Sequence, residues 1–259
     1  MDVTWPLVGR QAELEVLSAV LADTRAGGVV LVGEAGIGKT RMAREALARA
    51  EAAGWGVEWL AATRAAASIP FGAVSHLLPP AERLGDDRLD TLRRTADLLA
   101  ERSRGRPLLL GVDDAHLLDD ASAALVHQLV FRGVAVVVAT VRTGEPAPDP
   151  VIALWKDGLT RRLDLSALPP SATAELLERS LGGPVDGVTR KEVGRVTEGN
   201  PLYLRELVLG GLESGALRQM DKVWRWRGKL AGATRLAELV QARLSTLDQA
   251  ARDAVELVA

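Results

Sequence analysis

Cysteine is absent from this chain of 259 residues, and histidine occurs only three times. The lack of thiols excludes disulfides, cysteine nucleophiles and thiolate metal sites, and so few histidines disfavour a histidine-based metal centre. Aromatic residues make up 3% of the chain, so leucine, valine and alanine must form the core. There is no apolar run of about 18 residues and no basic segment leading into an apolar one at the start, so we expect a cytoplasmic protein without a membrane span.

An excess of either charge is also missing, because 32 Lys and Arg face 34 Asp and Glu, which gives a net charge of −2. This balance provides no general attraction to nucleic acid or anionic lipid, so we expect no direct DNA binding by this segment. The arginine-rich stretches 102–106 and 222–229 invite a test of that expectation, the second because it interleaves Trp with basic residues. However, the alternation in 223–227 places both Trp on one face, as in a half-buried hairpin that needs no ligand.

The chain does contain short, continuous apolar runs that alternate with longer amphipathic stretches. This pattern is typical of an α/β protein, with a parallel sheet covered by helices on both faces. Strands are predicted near Gly28–Val32, Gly56–Ala61, Pro107–Val112, Val134–Val141 and Arg161–Leu165. Helices are predicted at Glu13–Leu21, Lys39–Ala53, Leu89–Arg102 and Ala121–Phe131. The proline-rich stretch 145–150 is predicted to be an exposed loop after the fourth strand.

A helical region is predicted after Leu165, where strand-like runs cease. Ser171 is expected to be the N-cap of its first helix. Its elements are predicted at Ala172–Leu181, Val188–Thr197, Leu202–Ser214, one arm of a hairpin at 223–227, and a helix from Thr234. We therefore expect an α/β domain over residues 1–166, a helical lid domain with a small hairpin over 167–245, and the start of a truncated further region over 246–259.

The strongest motif is Gly33–Thr40, which reads Gly-Glu-Ala-Gly-Ile-Gly-Lys-Thr and fits G-x-x-x-x-G-K-[ST] between a predicted strand and a predicted helix. In such a P-loop, glycines let backbone N–H groups surround phosphates, and the helix N-terminus adds a positive dipole end. Lys39 is predicted to reach the β- and γ-phosphates of ATP, and the Thr40 hydroxyl to bind Mg²⁺. A Gly-rich turn that fits by chance is the alternative. The predicted nucleotide contacts here are Gly33, Gly36, Ile37, Gly38, Lys39, Thr40 and Arg41.

A second motif ends the apolar run 108–112 with two carboxylates, Asp113 and Asp114. Parallel strands deliver their carboxyl ends to one edge, so this run is interpreted as a Walker B strand. Asp113 is predicted to hold Mg²⁺ through water, and Asp114 to orient or deprotonate the attacking water. A strand followed by a solvated Asp-Asp turn is the alternative. The additional strand Gly56–Ala61 between the two motifs favours the ASCE class of P-loop NTPases, a three-layer fold of about five strands in which a strand separates the motif-bearing ones.

Two further residues follow predicted strands. Arg142 ends the fourth strand and is a candidate catalytic residue that senses the γ-phosphate, although a surface arginine at a strand end is equally consistent with its position. His116 lies two residues after the paired aspartates and could respond to their charge, but a turn histidine is the more common case.

Together these residues resemble the STAND-type P-loop ATPase domain at the N-terminus of large LuxR-family transcriptional regulators, of the maltose-regulon-activator type. The resemblance spans nearly the whole chain. It depends on Leu7–Arg10 with Glu13, Gly33–Thr40, Leu108–His116, Arg142 and Glu198–Leu204. In that family a Val-Gly-Arg segment and a Gly-x-Pro turn bracket the adenine. The resemblance therefore implies that Val8, Gly9, Arg10 and Pro201 contact base and ribose, whereas without it a simple helix-to-helix turn explains 199–201 equally well.

The resemblance also implies how such a protein would work. ADP would hold a closed form, and ATP, helped by an inducer bound elsewhere, would favour an open form that self-associates, with Arg142 and Lys39 reading the γ-phosphate. Slow hydrolysis would reset the switch. Family members continue through a winged-helix region, a helical-repeat sensor and a helix-turn-helix, so residues 246–259 would begin the winged-helix region and DNA binding would belong to a missing C-terminal part.

Two other functions compete with this one. A DNA-handling AAA+ ATPase of the initiator or loader type would turn over rapidly, respond to DNA and use an arginine in trans, for which Arg132 and Arg161 are candidates. A scaffold that keeps ADP permanently would bind nucleotide without cycling.

Overall fold

The computed structural model describes residues 5–23, 26–80, 88–103, 105–228 and 230. By their contacts these residues form two units. The first, which we name the sheet unit, comprises Ala12–Glu34 and Met42–Leu165. The second, the helical unit, comprises the chain up to Gln11, the short stretch Ala35–Arg41 and the chain from Ser166 on. Within the described ranges, no helix has both the length and the apolar character that crossing a membrane requires.

The sheet unit is built on five parallel strands in the order β2-β3-β4-β1-β5. The strands are β1 (Gly28–Gly33), β2 (Gly56–Ala61), β3 (Leu108–Asp113), β4 (Val136–Arg142) and β5 (Arg161–Asp164). This confirms the predicted α/β P-loop NTPase fold. The strand that separates β1 from β3 is β4, which follows both of them in sequence, whereas β2 lies at the edge of the sheet.

The helices of this part of the chain are α1 (Gln11–Ala22), α2 (Lys39–Ala52), α3 (Arg88–Ser103), α4 (Asp120–Phe131) and α5 (Asp149–Lys156). The first four match the predicted helices closely. The loop predicted at 145–150 is wrong in its second half, because α5 begins there at Asp149 with a proline in its first turn. Proline is tolerated at that position, since the first helical N–H groups have no partner inside the helix.

Close packing between β2 and β3 depends on a glycine. Gly111 faces Trp59 across the register of the two strands, and a Cβ on Gly111 would lie 2.4 Å from the Trp59 ring. The guanidinium of Arg44 on α2 stacks on that ring, 3.6 Å from its centroid. The partly buried indole is therefore packed between strand β3 and a cation.

Asp119 joins α4 to the segment after β2. Its Oδ1 accepts hydrogen bonds from the backbone N–H groups of Ala121 and Ser122 at the start of α4, and from the N–H of Phe71, which is distant in sequence. Burial opposes ionisation of this carboxyl. Nevertheless the Ser122 hydroxyl and the three backbone donors outweigh burial and hold the pKa of Asp119 below its usual value.

The helical unit contains α6 (Pro170–Leu181), α7 (Gly187–Thr197), α8 (Pro201–Glu213) and a hairpin of β6 (Leu217–Met220) and β7 (Val223–Trp226). The predicted N-cap of α6 is wrong. Pro169 occupies the cap position without a side-chain hydrogen bond, and Ser171 lies inside the first turn. The pair of prolines fixes the start of the helix two residues earlier than predicted, because each is suited to the backbone before or at the first turn.

The hairpin packs its Trp face inward, as its alternation predicts. Trp224 is buried and donates from Nε1 to the carbonyl of Leu181, while Arg225 and Arg227 are exposed. Asp186 caps α7, and the Thr189 hydroxyl donates to Asp186 and accepts from the N–H of Trp226. The structural interpretation of these Trp residues therefore holds. The predicted helix from Thr234 and the predicted region 246–259 lie outside the described residues.

Candidate nucleotide-binding site

The P-loop connects β1 to α2, and three backbone carbonyls in its middle accept hydrogen bonds from residues outside the loop. The carbonyl of Ala35 accepts from Asn200 Nδ2 at 2.9 Å. The carbonyl of Gly36 accepts from the N–H of Leu202 at 3.2 Å, and that of Ile37 accepts from Arg10 Nη2 at 3.0 Å. All of these residues belong to the helical unit. We name this set of hydrogen bonds the loop clasp.

Arg10 occupies a buried position, with 5% of its surface exposed. The same Nη2 that contacts Ile37 also donates to the carbonyl of Ser166 at 2.8 Å. The guanidinium therefore joins the P-loop to the chain segment that leads into α6. Contact with the base or ribose, which the resemblance implies for Arg10, stays a prediction.

The turn before α8 meets the P-loop through close packing as well as hydrogen bonds. A Cβ on Gly36, whose φ is +72°, would lie 2.6 Å from Leu202 Cβ and 2.9 Å from Asn200 Oδ1. Only glycine fits this approach and this backbone angle. Pro201 is buried in the first turn of α8, so the Gly-Asn-Pro segment combines a helix start with direct contact to the phosphate-binding motif.

Val8 and Gly9 have clear structural surroundings in the helical unit. Val8 belongs to the unit's apolar core together with Trp5 and Leu176. Gly9 has a φ of +67°, and a Cβ there would lie 2.4 Å from the Ala172 side chain. Their predicted contact with adenine is a prediction that adds to these packing roles.

Several predicted residues lie at the carboxyl edge of the parallel sheet. Gly33 at the end of β1 is in register with Arg142 at the end of β4, and Asp113 ends β3 on the other side of β4. The sheet order thus brings Asp113 and Arg142 to the edge from which the P-loop departs. Such an edge is where open α/β sheets bind ligands.

The two aspartates are connected by Thr140, a fully buried residue of β4. Its hydroxyl donates to Asp113 Oδ1 at 2.6 Å and accepts from the N–H of Asp114 at 2.8 Å. The sequence did not indicate this role, because a threonine among valines in a strand is usually a β-branched filler. Thr140 therefore fixes one carboxylate directly and the other through its backbone.

Asp114 adopts a left-handed backbone conformation, with φ 49° and ψ 46°. Few residues other than glycine adopt this conformation, with Asn, Asp and His the most frequent among them, and such residues cluster at functional sites. His116 lies nearby, with its Nδ1 3.8 Å from Asp114 Oδ1 and only 4% of its side chain exposed. The structure thus places His116 beside the candidate general base.

Arg142 carries a buried polar atom in its side chain. Its Nε is inaccessible to solvent and has no hydrogen-bond partner among the described residues. Buried polar atoms are normally hydrogen-bonded, and an anion such as a phosphate group would accept a hydrogen bond from this N–H. Contact of Arg142 with the γ-phosphate stays a prediction.

The remaining P-loop residues lead into α2, which begins at Lys39. Lys39 is 7% exposed, whereas Gly38, Thr40 and Arg41 are partly buried. Gly38 has a φ of +100°, a conformation that requires glycine. The Thr40 hydroxyl and the Asp113 carboxylate are hard oxygen donors of the kind that Mg²⁺ prefers, in sites that usually add phosphate oxygens and water.

The fold defines the class of P-loop NTPases, and a sequence comparison gives the family. Residues 6–138 match the family described as the AAA ATPase domain. This match covers just over half of the chain, and the chain belongs to that family. Membership implies nucleotide binding, for which Mg²⁺ is the usual companion. No curated protein matches the chain in sequence.

Solved structures with the same fold are known. The Orc1 protein of Aeropyrum pernix in complex with DNA is similar, with a TM-score of 0.56 and 19% identity over 97% of this chain and 71% of that chain. A point variant of RuvB from Thermotoga maritima gives a TM-score of 0.50 and 15% identity over 93% of this chain and 73% of that chain. At these identities the likeness shows a shared fold.

Proposed function

We propose that the chain is the ATP- and ADP-binding switch module of a LuxR-family transcriptional regulator that works in the cytoplasm. The observation that carries the proposal is the loop clasp, since Arg10 and Asn200 belong to the Val-Gly-Arg and Gly-Asn-Pro segments on which the resemblance depends. In this proposal Val8, Gly9, Arg10 and Pro201 bracket the adenine. DNA binding is left to another part of the regulator.

The chemistry of the site would be slow ATP hydrolysis. The P-loop N–H groups and Lys39 bind the phosphates, while Thr40 and Asp113 hold Mg²⁺. Asp114 orients the attacking water, and the guanidinium of Arg142 contacts the γ-phosphate. Because ADP lacks that phosphate, Arg142 and Lys39 distinguish the two nucleotides, and self-association accompanies the ATP state.

A nucleotide titration tests the first step of this proposal. Fluorescently labelled ATP and ADP should bind the purified chain, and Lys39→Ala should weaken ATP binding by about tenfold or more through loss of a buried charge on the phosphates. Lys156→Ala is the matched control, because Lys156 is an exposed lysine at the end of α5. Binding that does not depend on Lys39 would overturn the proposal.

The second candidate is a DNA-handling ATPase, and the similarity to the Orc1 protein in complex with DNA favours it. Hydrolysis measured with and without duplex DNA separates the two functions. Stimulation of several-fold would favour the DNA-handling enzyme, whereas unchanged slow turnover supports the switch. Copurified ADP that excess ATP cannot displace would instead indicate a scaffold with permanent nucleotide.

A further inference from the structure

The loop clasp fixes the directions of backbone N–H groups in the P-loop through the carbonyl groups that it holds. In a planar trans peptide the C=O and the following N–H point in opposite directions. Each carbonyl that accepts from the loop clasp, in Ala35, Gly36 and Ile37, therefore fixes the N–H group of the next residue, in 36, 37 and 38, in the direction away from its donor. Those three N–H groups are among the predicted phosphate ligands.

We propose that Asn200 is a positioning residue of the P-loop, whose amide couples phosphate binding to the start of α8. The inference extends the proposed function, since it requires nucleotide at the P-loop. Gly36 and Gly38 both have positive φ values, so the loop lacks the side-chain restraints that would otherwise fix its peptides. Asn200 supplies the restraint from outside.

Asn200 is suited to this role because the oxygen and the nitrogen of its side-chain amide make different hydrogen bonds. Oδ1 accepts from the N–H groups of Leu202 and Tyr203 and caps α8, while Nδ2 donates to Ala35. The side chain is buried, with 7% exposed. Serine and aspartate can also cap a helix, but neither has the amide donor that reaches the loop.

The position of Asn200 does not depend on the P-loop alone. Gly199 has a φ of +76°, and a Cβ on it would lie 2.2 Å from the carbonyl oxygen of Leu168. The N–H of Leu168 in turn donates to the carbonyl of Gly199 at 2.9 Å. The turn is thus fixed by its own packing, so the amide is already in place when the ligand arrives, which reduces the ordering cost of binding.

Binding and clasp strengthen each other. When a phosphate accepts from a peptide N–H, the peptide polarises and its carbonyl becomes a stronger acceptor. Bound nucleotide should therefore tighten the bonds to Asn200 and Leu202, and by reciprocity the clasp should raise nucleotide affinity.

Asn200→Ser separates the clasp from the cap, because the hydroxyl can accept from the helix N–H groups but cannot donate to Ala35 in the same way. We expect the variant to fold and to bind ATP and ADP about tenfold more weakly, as for loss of one well-placed hydrogen bond. Asn200→Asp is the second variant, with a strong cap and no donor, and it should bind more weakly still because its charge repels phosphate. Asp186→Ser, a cap substitution on α7, is the control and should bind as the wild type does.

Hydrogen exchange gives a readout that a purely structural cap would not move. In the wild type, saturating ATP should slow amide exchange at Tyr203, whose N–H donates to Asn200 Oδ1, and in Asn200→Ser that nucleotide-dependent slowing should be lost. A folded Asn200→Ser or Asn200→Asp variant with wild-type nucleotide affinity would overturn the inference. If the wild-type chain binds no nucleotide, the proposed function itself fails, so the two failures are distinguishable.

Discussion

At the scale of single residues, Thr140 is the group through which the two acidic residues are ordered. Its hydroxyl is satisfied on both sides, by Asp113 as acceptor and by the N–H of Asp114 as donor. Removing it takes away both hydrogen bonds, the one to the Asp113 carboxylate and the one from the partly buried N–H of Asp114. Supporting groups of this kind around metal and catalytic ligands commonly affect activity by one to two orders of magnitude.

We therefore expect Thr140→Val, which keeps the shape of the side chain, to lower ATP hydrolysis about tenfold and stability by about 2 kcal/mol. Thr140→Ser should restore most of both. Thr160→Val is the matched control, because Thr160 is equally a buried threonine, but its hydroxyl has no hydrogen-bond partner in the described part of the chain. Steady-state hydrolysis and urea unfolding measure the effects. Equal losses in the two valine variants would contradict the role of Thr140.

How far the sequence predicts the site also becomes clear at this scale. Gly33–Thr40 and the Asp113-Asp114 pair are local patterns whose chemistry needs those residue types in that order, so they can be found without a structure. The hydroxyl of Thr140 and the amide of Asn200 act across strands or across 165 positions of sequence, and no local pattern encodes such partners. Their roles follow from the register of the sheet and from the turn before α8.

At the scale of elements, the N-cap residue of α4 also accepts a hydrogen bond from a segment that is distant in sequence. Asp119 accepts from α4 and also from Phe71, which has a positive φ of 62° and follows β2. The cap thus stabilises a helix and a turn simultaneously. The lowered pKa of Asp119 means that the folded state favours the ionised form of this carboxyl group.

This coupling predicts a pH dependence of stability. Because the folded pKa lies below the unfolded one, Asp119 contributes fully above the unfolded pKa of about 3.9, and the contribution is lost as pH falls through the folded value. Asp119→Ala should cost about 1–2 kcal/mol at pH 7 and pH 5, and the difference from wild type should narrow at pH 3. Urea unfolding at the three pH values measures it. The neighbouring Asp120→Ala is the control, and a gap that widens at pH 3 would refute this account.

The elements themselves were predicted well where periodicity is strong. All five strands of the main sheet and the longer described helices match apolar runs and amphipathic stretches. The failures occur at prolines. A run of alternating prolines at 145–150 indicates a loop, yet α5 starts inside it, and Pro170 begins α6 ahead of the predicted Ser171 cap. Proline both ends and begins helices, and only tertiary contacts decide between the two.

At the scale of the whole molecule, the two units are interleaved in sequence. Ala35–Arg41 and the segment up to Gln11 group with the helical unit, although both lie within the stretch that forms the α/β part of the chain. A division of the sequence at a single position cannot express this, because the loop clasp is built from contacts of long sequence separation. The phosphate-binding loop therefore groups with the helical unit rather than with the sheet from which it departs.

Under the proposed function, we expect the chain to self-associate with ATP and to remain a smaller species with ADP. Sedimentation velocity should show a larger species with ATP and Mg²⁺ than with ADP, because Arg142 and Lys39 contact the γ-phosphate in the ATP state only.

Asp114→Asn should lower hydrolysis by about 100-fold or more while leaving binding largely intact, so the larger species should persist after the wild type has reverted. The Arg142→Ala variant should bind ATP but sediment as the smaller species. It lacks the guanidinium, with its buried Nε, that distinguishes the two nucleotides. Identical sedimentation in ATP and ADP would refute the switch, and wild-type hydrolysis by Asp114→Asn would refute the role of that carboxylate.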